Sequence, residues 1–236
     1  MQLYIANKLY SSWSLRPWLL MTAFEIPFEE VCIPMYFPDS KARMLDVSPT
    51  GKMPCLVDGD VRVWESLSII EYLHERFPGK GIWPGEPAAR AHARSVASEM
   101  HAGFQALRNA CPMNLAARLM PRDLGPDVDD NVRRFQGLVS DCRRRFGKGG
   151  EFLYGSFSAA DAMYAPLATR LDTYQIELAS QTRQYVNAIL AHPGFVKWRA
   201  EALTEPWGIT HYERGWTAAE RFHAPTILTG HPSASP

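Results

Sequence analysis

The sequence has no excess of either charge. Its 25 basic and 25 acidic residues cancel over 236 positions, leaving no net field to draw nucleic acid or an anionic lipid surface. No apolar run approaches the roughly 20 residues of a membrane span, and the opening MQLYIANKLYSSWS has neither a basic segment nor the apolar core of a secretory leader. These absences predict a cytoplasmic protein with no membrane or nucleic-acid partner. Cysteine is sparse as well. Cys32, Cys55, Cys111 and Cys142 stand apart with no C-x-x-C pair, so neither a zinc site nor a dithiol redox motif is spelled out, and no metal is expected. Internal repeats are absent.

What is present is an ordinary globular composition, 46% hydrophobic and 21% charged, in a chain long enough for two unequal domains. Residues 2–6 (QLYIA) carry a short strand signal, and LRPWLLMTAF then takes up helical spacing with Leu15, Trp18, Leu19 and Thr22 on one face. Ser12 or Ser14 can cap that helix, with Pro17 in its first turn. Phe28 to Ile33 reads as a second strand. After an irregular stretch at 38–48, Cys55–Val57 and Val61–Trp64 flank the hairpin signal Asp58-Gly59-Asp60. A helix follows, with Leu67, Ile70, Leu73 and Phe77 as its buried stripe, ended by Pro78-Gly79. The order is βαβ followed by ββα.

FPGKGIWPGEP then reads as an exposed linker. Beyond it the pattern is helical at 88–109, 126–146, 159–174, 180–190 and 195–203, without competing strand alternation. The expected organisation is a βαβ-ββα domain at 1–79, a linker at 80–87, an all-helical domain at 88–222, and a flexible tail at 223–236.

Three stretches can carry chemistry. Tyr10-Ser11-Ser12-Trp13-Ser14 falls between the first strand and the first helix, where free N–H groups and the positive helix end converge. A hydroxyl there can donate to an anion and lower the pKa of a bound thiol; equally, the serines can simply cap the helix. In Gly51-Lys52-Met53-Pro54-Cys55, a cis bond before Pro54 would turn the Met53 backbone outward to pair with an extended peptide. A trans proline ending a loop is the commoner state. In Trp64-Glu65-Ser66, Ser66 as N-cap offers N–H groups to a carboxylate and Glu65 offers an acceptor to an ammonium, a pair suited to an amino-acid head group. An ordinary capped helix also explains them.

Taken together and in order, these stretches resemble the cytosolic glutathione transferases, of serine type and similar to the bacterial zeta members. SSWSLRPW stands at their catalytic turn, SPTGKMPCL is like their N-P-x-G-K-V-P-x-L, and ESLSIIEYL is like their E-S-x-A-I-x-x-Y-L. Phe157-Ser158-Ala159-Ala160-Asp161 is similar to the S/T-x-x-D box of their central helix, a structural capping device. The resemblance implies a thioredoxin-like N-terminal domain followed by an all-helical domain. It implies Ser11, or its neighbour Ser12, as the hydroxyl that activates glutathione, five residues before Arg16 in the case of Ser11. Lys52, Met53 and Pro54 would hold the peptide backbone and glycyl end, with Glu65 and Ser66 on the γ-glutamyl head. An apolar second-substrate pocket would be walled by Trp13, Met100, Phe104 and Met113, and the chain would form a homodimer.

Two departures matter. Zeta members that isomerise maleylacetoacetate carry S-S-C-S at the turn and arginines at two helix positions; here Trp13 and Trp18 replace the cysteine and the second arginine. Branches that use a cysteine nucleophile find no counterpart, because no cysteine precedes Cys32. The implied function is a transferase acting on a small apolar electrophile. The alternatives are a glutathione-dependent cis–trans isomerase, for which Arg16, Arg108 and Arg118 are the candidate cations, and a non-catalytic ligand carrier.

Overall fold

A computed structural model describes residues 1–213 and 215–227. β1 (Gln2–Ile5), α1 (Ser12–Ala23) and β2 (Glu29–Cys32) form the first crossover unit. α2 (Ser40–Val47) leads on to the hairpin of β3 (Cys55–Asp58) and β4 (Val61–Trp64), then to α3 (Ser66–Arg76). The sheet order is β2-β1-β3-β4. β1 runs parallel to β2, with Gln2 opposite Glu29, and antiparallel to β3, with Leu3 opposite Leu56. This mixed four-stranded sheet is the thioredoxin-like half.

α2 lies in the stretch expected to be irregular. Its sequence gave little sign of it, because Met44 is the only large apolar side chain that the helix buries. α1 is buried on more than the one face that periodicity marks, with Leu20 and Met21 as inaccessible as Leu15 and Leu19. The reason is tertiary: α1 is packed against α3 and also against a helix of the second half. α1 begins at Ser12, with Ser11 as its N-cap, so Pro17 stands in the second turn rather than the first.

A 3-10 turn at Pro78–Lys80 leads to α4 (Pro87–Ala102). The intervening segment is less exposed than its prolines and glycines suggest. Ile82 and Trp83 are buried, and the Ile82 carbonyl accepts from Ala159 N–H at 2.9 Å. The single helix expected over 88–109 is two, α4 and α5 (Gln105–Ala110), broken where Phe104 enters left-handed backbone at φ 57°. Gly103 is required at that break, since a Cβ would stand 2.8 Å from the Glu99 carbonyl oxygen.

The remaining helices are α6 (Pro126–Phe146), α7 (Ala159–Thr173), α8 (Ser180–Ala191), α9 (Pro193–Ala202) and the short α10 (Thr210–Glu213). α7 is the central helix. It is buried almost throughout and packs on α1, α4 and α8, which is why its sequence is apolar nearly all round. At its start the Asp161 carboxylate accepts from Ser158 N–H, the Ser158 hydroxyl and Leu153 N–H at 2.8–3.1 Å.

The second half is predominantly but not wholly helical. β5 (Ala117–Leu119) pairs antiparallel with β7 (Ala218–Arg221), and β6 (Trp207–Gly208) pairs parallel with β8 (Thr226–Ile227). These strands have two to four residues each, too few for alternation to register in sequence. They form because the segment after α9 returns across the molecule, with Trp216 packed on Tyr174 and under the Arg122 guanidinium. Of the tail expected over 223–236, Thr226–Ile227 is thus paired, and residues 228–236 lie outside the described residues.

Candidate functional site

The turn between β1 and α1, the loop before β3 and the start of α3 meet at one edge of the sheet. A pocket of about 130 Å³ is lined there by Trp13, Thr50, Lys52, Met53, Pro54 and Glu65. The sequence thus placed four of its five peptide-holding candidates at one wall. The fifth, Ser66, is fully buried beneath, and its hydroxyl points to Met163 Sδ at 4.0 Å.

The Met53–Pro54 bond is cis, the less common of the two states that sequence allows. Among the described residues the Met53 N–H and C=O take no partner in the chain, and so remain available to an extended peptide. Gly51, at φ 57°, makes the left-handed turn that introduces this segment. Glu65, not Ser66, is the N-cap of α3. Its φ of 68° is left-handed backbone that costs a non-glycine residue of order 1–3 kcal/mol, a kind of strain concentrated at binding sites. It leaves Glu65 exposed at the pocket wall with the first N–H groups of α3 beside it.

At the other turn the two adjacent serines differ. Ser11 caps α1: its hydroxyl donates to Ser14 Oγ at 2.8 Å and accepts weakly from Ser14 N–H at 3.4 Å. Ser14 Oγ in turn accepts from Ala6 N–H at 3.0 Å. The Ser12 hydroxyl takes no partner among the described residues. Both serines line a larger cleft of about 890 Å³, which Trp13, Lys52 and Met53 share with the small pocket.

The larger cleft differs from the apolar chamber expected. Trp13 and Met113 do line it. Met100 and Phe104 do not; they are packed in the helical core, Met100 fully and Phe104 edge-on to Tyr164. The cleft wall is instead made from Tyr10, Gln105, Arg108, Arg170, His211 and Tyr212, among others.

Guanidinium groups set its electrostatics. The Trp13 ring lies 4.0 Å from Arg16 and 4.7 Å from Arg108. Arg16 is fully buried, and its Nε and Nη1 have no hydrogen-bond partner among the described residues. Burial, reinforced by Arg108 and Arg170 nearby, holds its guanidinium well below its ordinary value. Burial also brings Arg170 down to about 10 and lowers Arg108. Arg170 spends two donors on the Cys111 and Pro166 carbonyls, Arg108 on those of His101 and Gly103. No carboxylate neutralises either within the described residues. Arg118, by contrast, lies outside the cleft and is held by Asp172 and Glu220.

His101 stands behind Trp13, 5.1 Å between ring centroids, with Nε2 3.8 Å from Glu65. Burial and then Arg16 lower its pKa. None of the four cysteines lines either cavity. Burial raises the thiols of Cys32 and Cys111 to about 12 and that of Cys142 to about 11, which keeps them protonated and unreactive. Sequence reasoning missed Arg170, yet a signal existed: an arginine in a helix apolar on every side has to be buried and to serve something. Tyr212 and His211 carried no such signal, being in a segment without periodicity.

Comparison with known proteins finds similarity in sequence and in fold. Residues 10–76 match the family model "Glutathione S-transferase, N-terminal domain". A probable maleylacetoacetate isomerase of Caenorhabditis elegans is 34% identical over 106 residues, 43% of this chain and 49% of that protein. The match therefore spans about half the length of that relative. Maleylacetoacetate isomerase of Pseudomonas aeruginosa is 29% identical over 160 residues, 64% of this chain and 72% of its own. Among solved structures, a glutathione transferase homologue from Burkholderia with bound glutathione superposes with a TM-score of 0.63 at 18% identity, covering 85% of this chain and 96% of that one. Residues 10–76 accordingly match the N-terminal domain of the glutathione S-transferases, and the chain shares its fold with solved glutathione transferases.

Proposed function

We propose that the protein is a glutathione transferase that ionises the thiol of glutathione and directs it at a small electrophile in the larger cleft. The observation that carries this reading is the convergence on one pocket of unpaired peptide groups at Met53, the strained Glu65 and the start of α3, next to a hydroxyl-bearing helix N-terminus. Met53 backbone would pair with the cysteinyl unit, Lys52 would meet the glycyl carboxylate, and Glu65 with the first turn of α3 at Ser66 would hold the γ-glutamyl ends. The thiol loses its proton to solvent, and a hydroxyl donated from the α1 turn holds the sulfur as thiolate. Sulfur then forms a bond to the electrophilic carbon while the leaving group departs with the bonding pair. The Ser12 hydroxyl is the one left free for this role, whereas resemblance alone favours Ser11.

A second reading has its own support. Arg108 and Arg170 give the cleft unneutralised positive charge, which suits an acceptor bearing a carboxylate. Thiolate addition to a cis double bond, rotation and elimination of the same thiolate would isomerise such a substrate without net consumption of glutathione. The names of the two curated relatives accord with this alternative.

Calorimetric titration with glutathione, followed by conjugation to an aryl halide in the same preparation, tests the first reading. Binding with turnover is expected. Binding without turnover would favour the isomerase or a ligand carrier, and no binding would overturn the site. We also propose a cytoplasmic, detoxifying homodimer; light scattering on that preparation should give twice the 26.6 kDa of one chain.

A further inference from the structure

The turn that carries Ser11 and Ser12 belongs to the first half of the chain but is held from the second. Lys8 and Leu9 direct consecutive N–H groups at the two oxygens of Glu205, at 2.6 and 3.1 Å. The Lys8 carbonyl accepts from Trp198 Nε1 at 3.1 Å, and the Leu9 carbonyl from Leu115 N–H at 3.2 Å. The Tyr10 hydroxyl donates to Glu213 at 2.8 Å. Within the turn itself the Asn7 carbonyl accepts from Tyr10 and Ser11 N–H at 3.2 and 2.8 Å, and the Tyr10 carbonyl from Ser12 N–H at 3.0 Å. Ser11 follows as the cap of α1.

Glu205 is 8% exposed. Sequestering a carboxylate from water is costly unless its lone pairs are filled, and here two convergent amides fill them in the manner of an anion-binding nest. The Lys8 ammonium is turned elsewhere, to Glu30 and Glu201. A carboxylate 197 positions away in sequence from Lys8 is a costly way merely to close a turn that Asn7 already closes. What it does accomplish is to fix the direction of the chain two residues before the serines.

We propose that Glu205 is a positioning residue for the reaction: from the helical half it sets the Lys8–Leu9 turn, and so the aim of the Ser11 and Ser12 hydroxyls at the bound sulfur. The inference rests on the glutathione-activating reading above. Glu205 touches neither glutathione nor acceptor, and acts through the backbone of the turn.

The test is Glu205→Gln, nearly the same shape but with an NH2 forced against one of the two amides. Ultraviolet absorbance of bound thiolate is followed against pH in wild type and variant, with circular dichroism to verify folding. The midpoint of the bound thiol should rise by at least about half a pH unit toward the free value of about 8.5. Affinity for S-methylglutathione, which has no thiol to ionise, should stay within about twofold, because Met53 and Glu65 are untouched; half a pH unit in the thiol alone is about a threefold loss of thiolate preference. Glu205→Asp, which keeps both acceptor oxygens, should bring the midpoint back toward wild type. Glu201→Gln, which breaks a Lys8 contact at the same junction but spares the amides, should leave it in place. If Glu205→Gln titrates as wild type does, or Glu201→Gln moves the midpoint equally, the positioning role is overturned. If wild type itself binds no glutathione, the underlying reading fails instead, whatever the variants do.

Discussion

Ser11 and Ser12 are adjacent, equally buried and chemically identical, yet their surroundings assign them different work. The Ser11 hydroxyl is engaged with Ser14 at both donor and acceptor, as helix caps are; Ser12 offers its hydroxyl to the cleft. Ser12→Ala is expected to raise the pH at which turnover is half-maximal while the melting temperature stays within a degree or so. Ser11→Ala is expected to cost about 1 kcal/mol of stability, the ordinary worth of an N-cap, with a smaller movement of the pH profile. pH–rate profiles and thermal melts of the two variants check this. A pH shift on Ser11→Ala alone, with melting unchanged, would return the role to Ser11. The sequence makes both serines candidates and cannot rank them, because the partner that occupies Ser11 is itself a serine three residues on, equally consistent with either reading.

At the scale of elements, α1 and α7 form the spine that joins the two halves, and the start of α7 depends on Asp161. Burial pushes that carboxyl up from 3.8 to about 6, against the three hydrogen bonds that favour its ionised form. Its folded pKa therefore exceeds its unfolded one. The linked contribution to stability is fully present below pH 3.8 and is lost as pH rises through about 6. Asp161→Asn turns an NH2 toward groups that are themselves donors, and should cost about 1–3 kcal/mol. Because asparagine does not titrate, the gap in melting temperature between wild type and variant should narrow as pH is raised from 5 to 7. Thermal melts across that range test the sign, and a gap that widens would contradict it. The capping pattern at Ser158 and Asp161 was legible in sequence since it is local. The break between α4 and α5 was not, because the Gly103 contact with Glu99 only becomes visible once the helix has been built.

At the scale of the whole molecule, formal charges sum to zero, so preference for a charged acceptor cannot come from long-range attraction. It has to be generated inside the cleft, where Arg108 and Arg170 form no ion pair with a carboxylate among the described residues. Arg108→Leu is therefore expected to raise KM about tenfold for an electrophile bearing a carboxylate, the equivalent of about 1.4 kcal/mol, and to leave KM for its neutral methyl ester and for glutathione nearly unchanged. Steady-state kinetics on the acid and ester pair decide it; equal effects on both would point to lost packing against Trp13 rather than lost charge.

The sequence by itself determined the order of elements in the first half, the hairpin at Asp58-Gly59, the loop from Lys52 to Pro54 that leads into β3, the acidic residue at the mouth of α3, and the run of helices that follows. All of these are written in contacts between residues close along the chain, where periodicity, turn chemistry and caps act. Only the tertiary structure decided the character of the second pocket. It withdrew Met100 and Phe104 into the core, brought Arg170 and Tyr212 to the wall, and clamped the Lys8–Tyr10 turn with Glu205 and Glu213. Those placements depend on helices and a returning C-terminal segment whose mutual packing is fixed by burial across long sequence separations, and no local pattern specifies which face of one helix will meet which face of another.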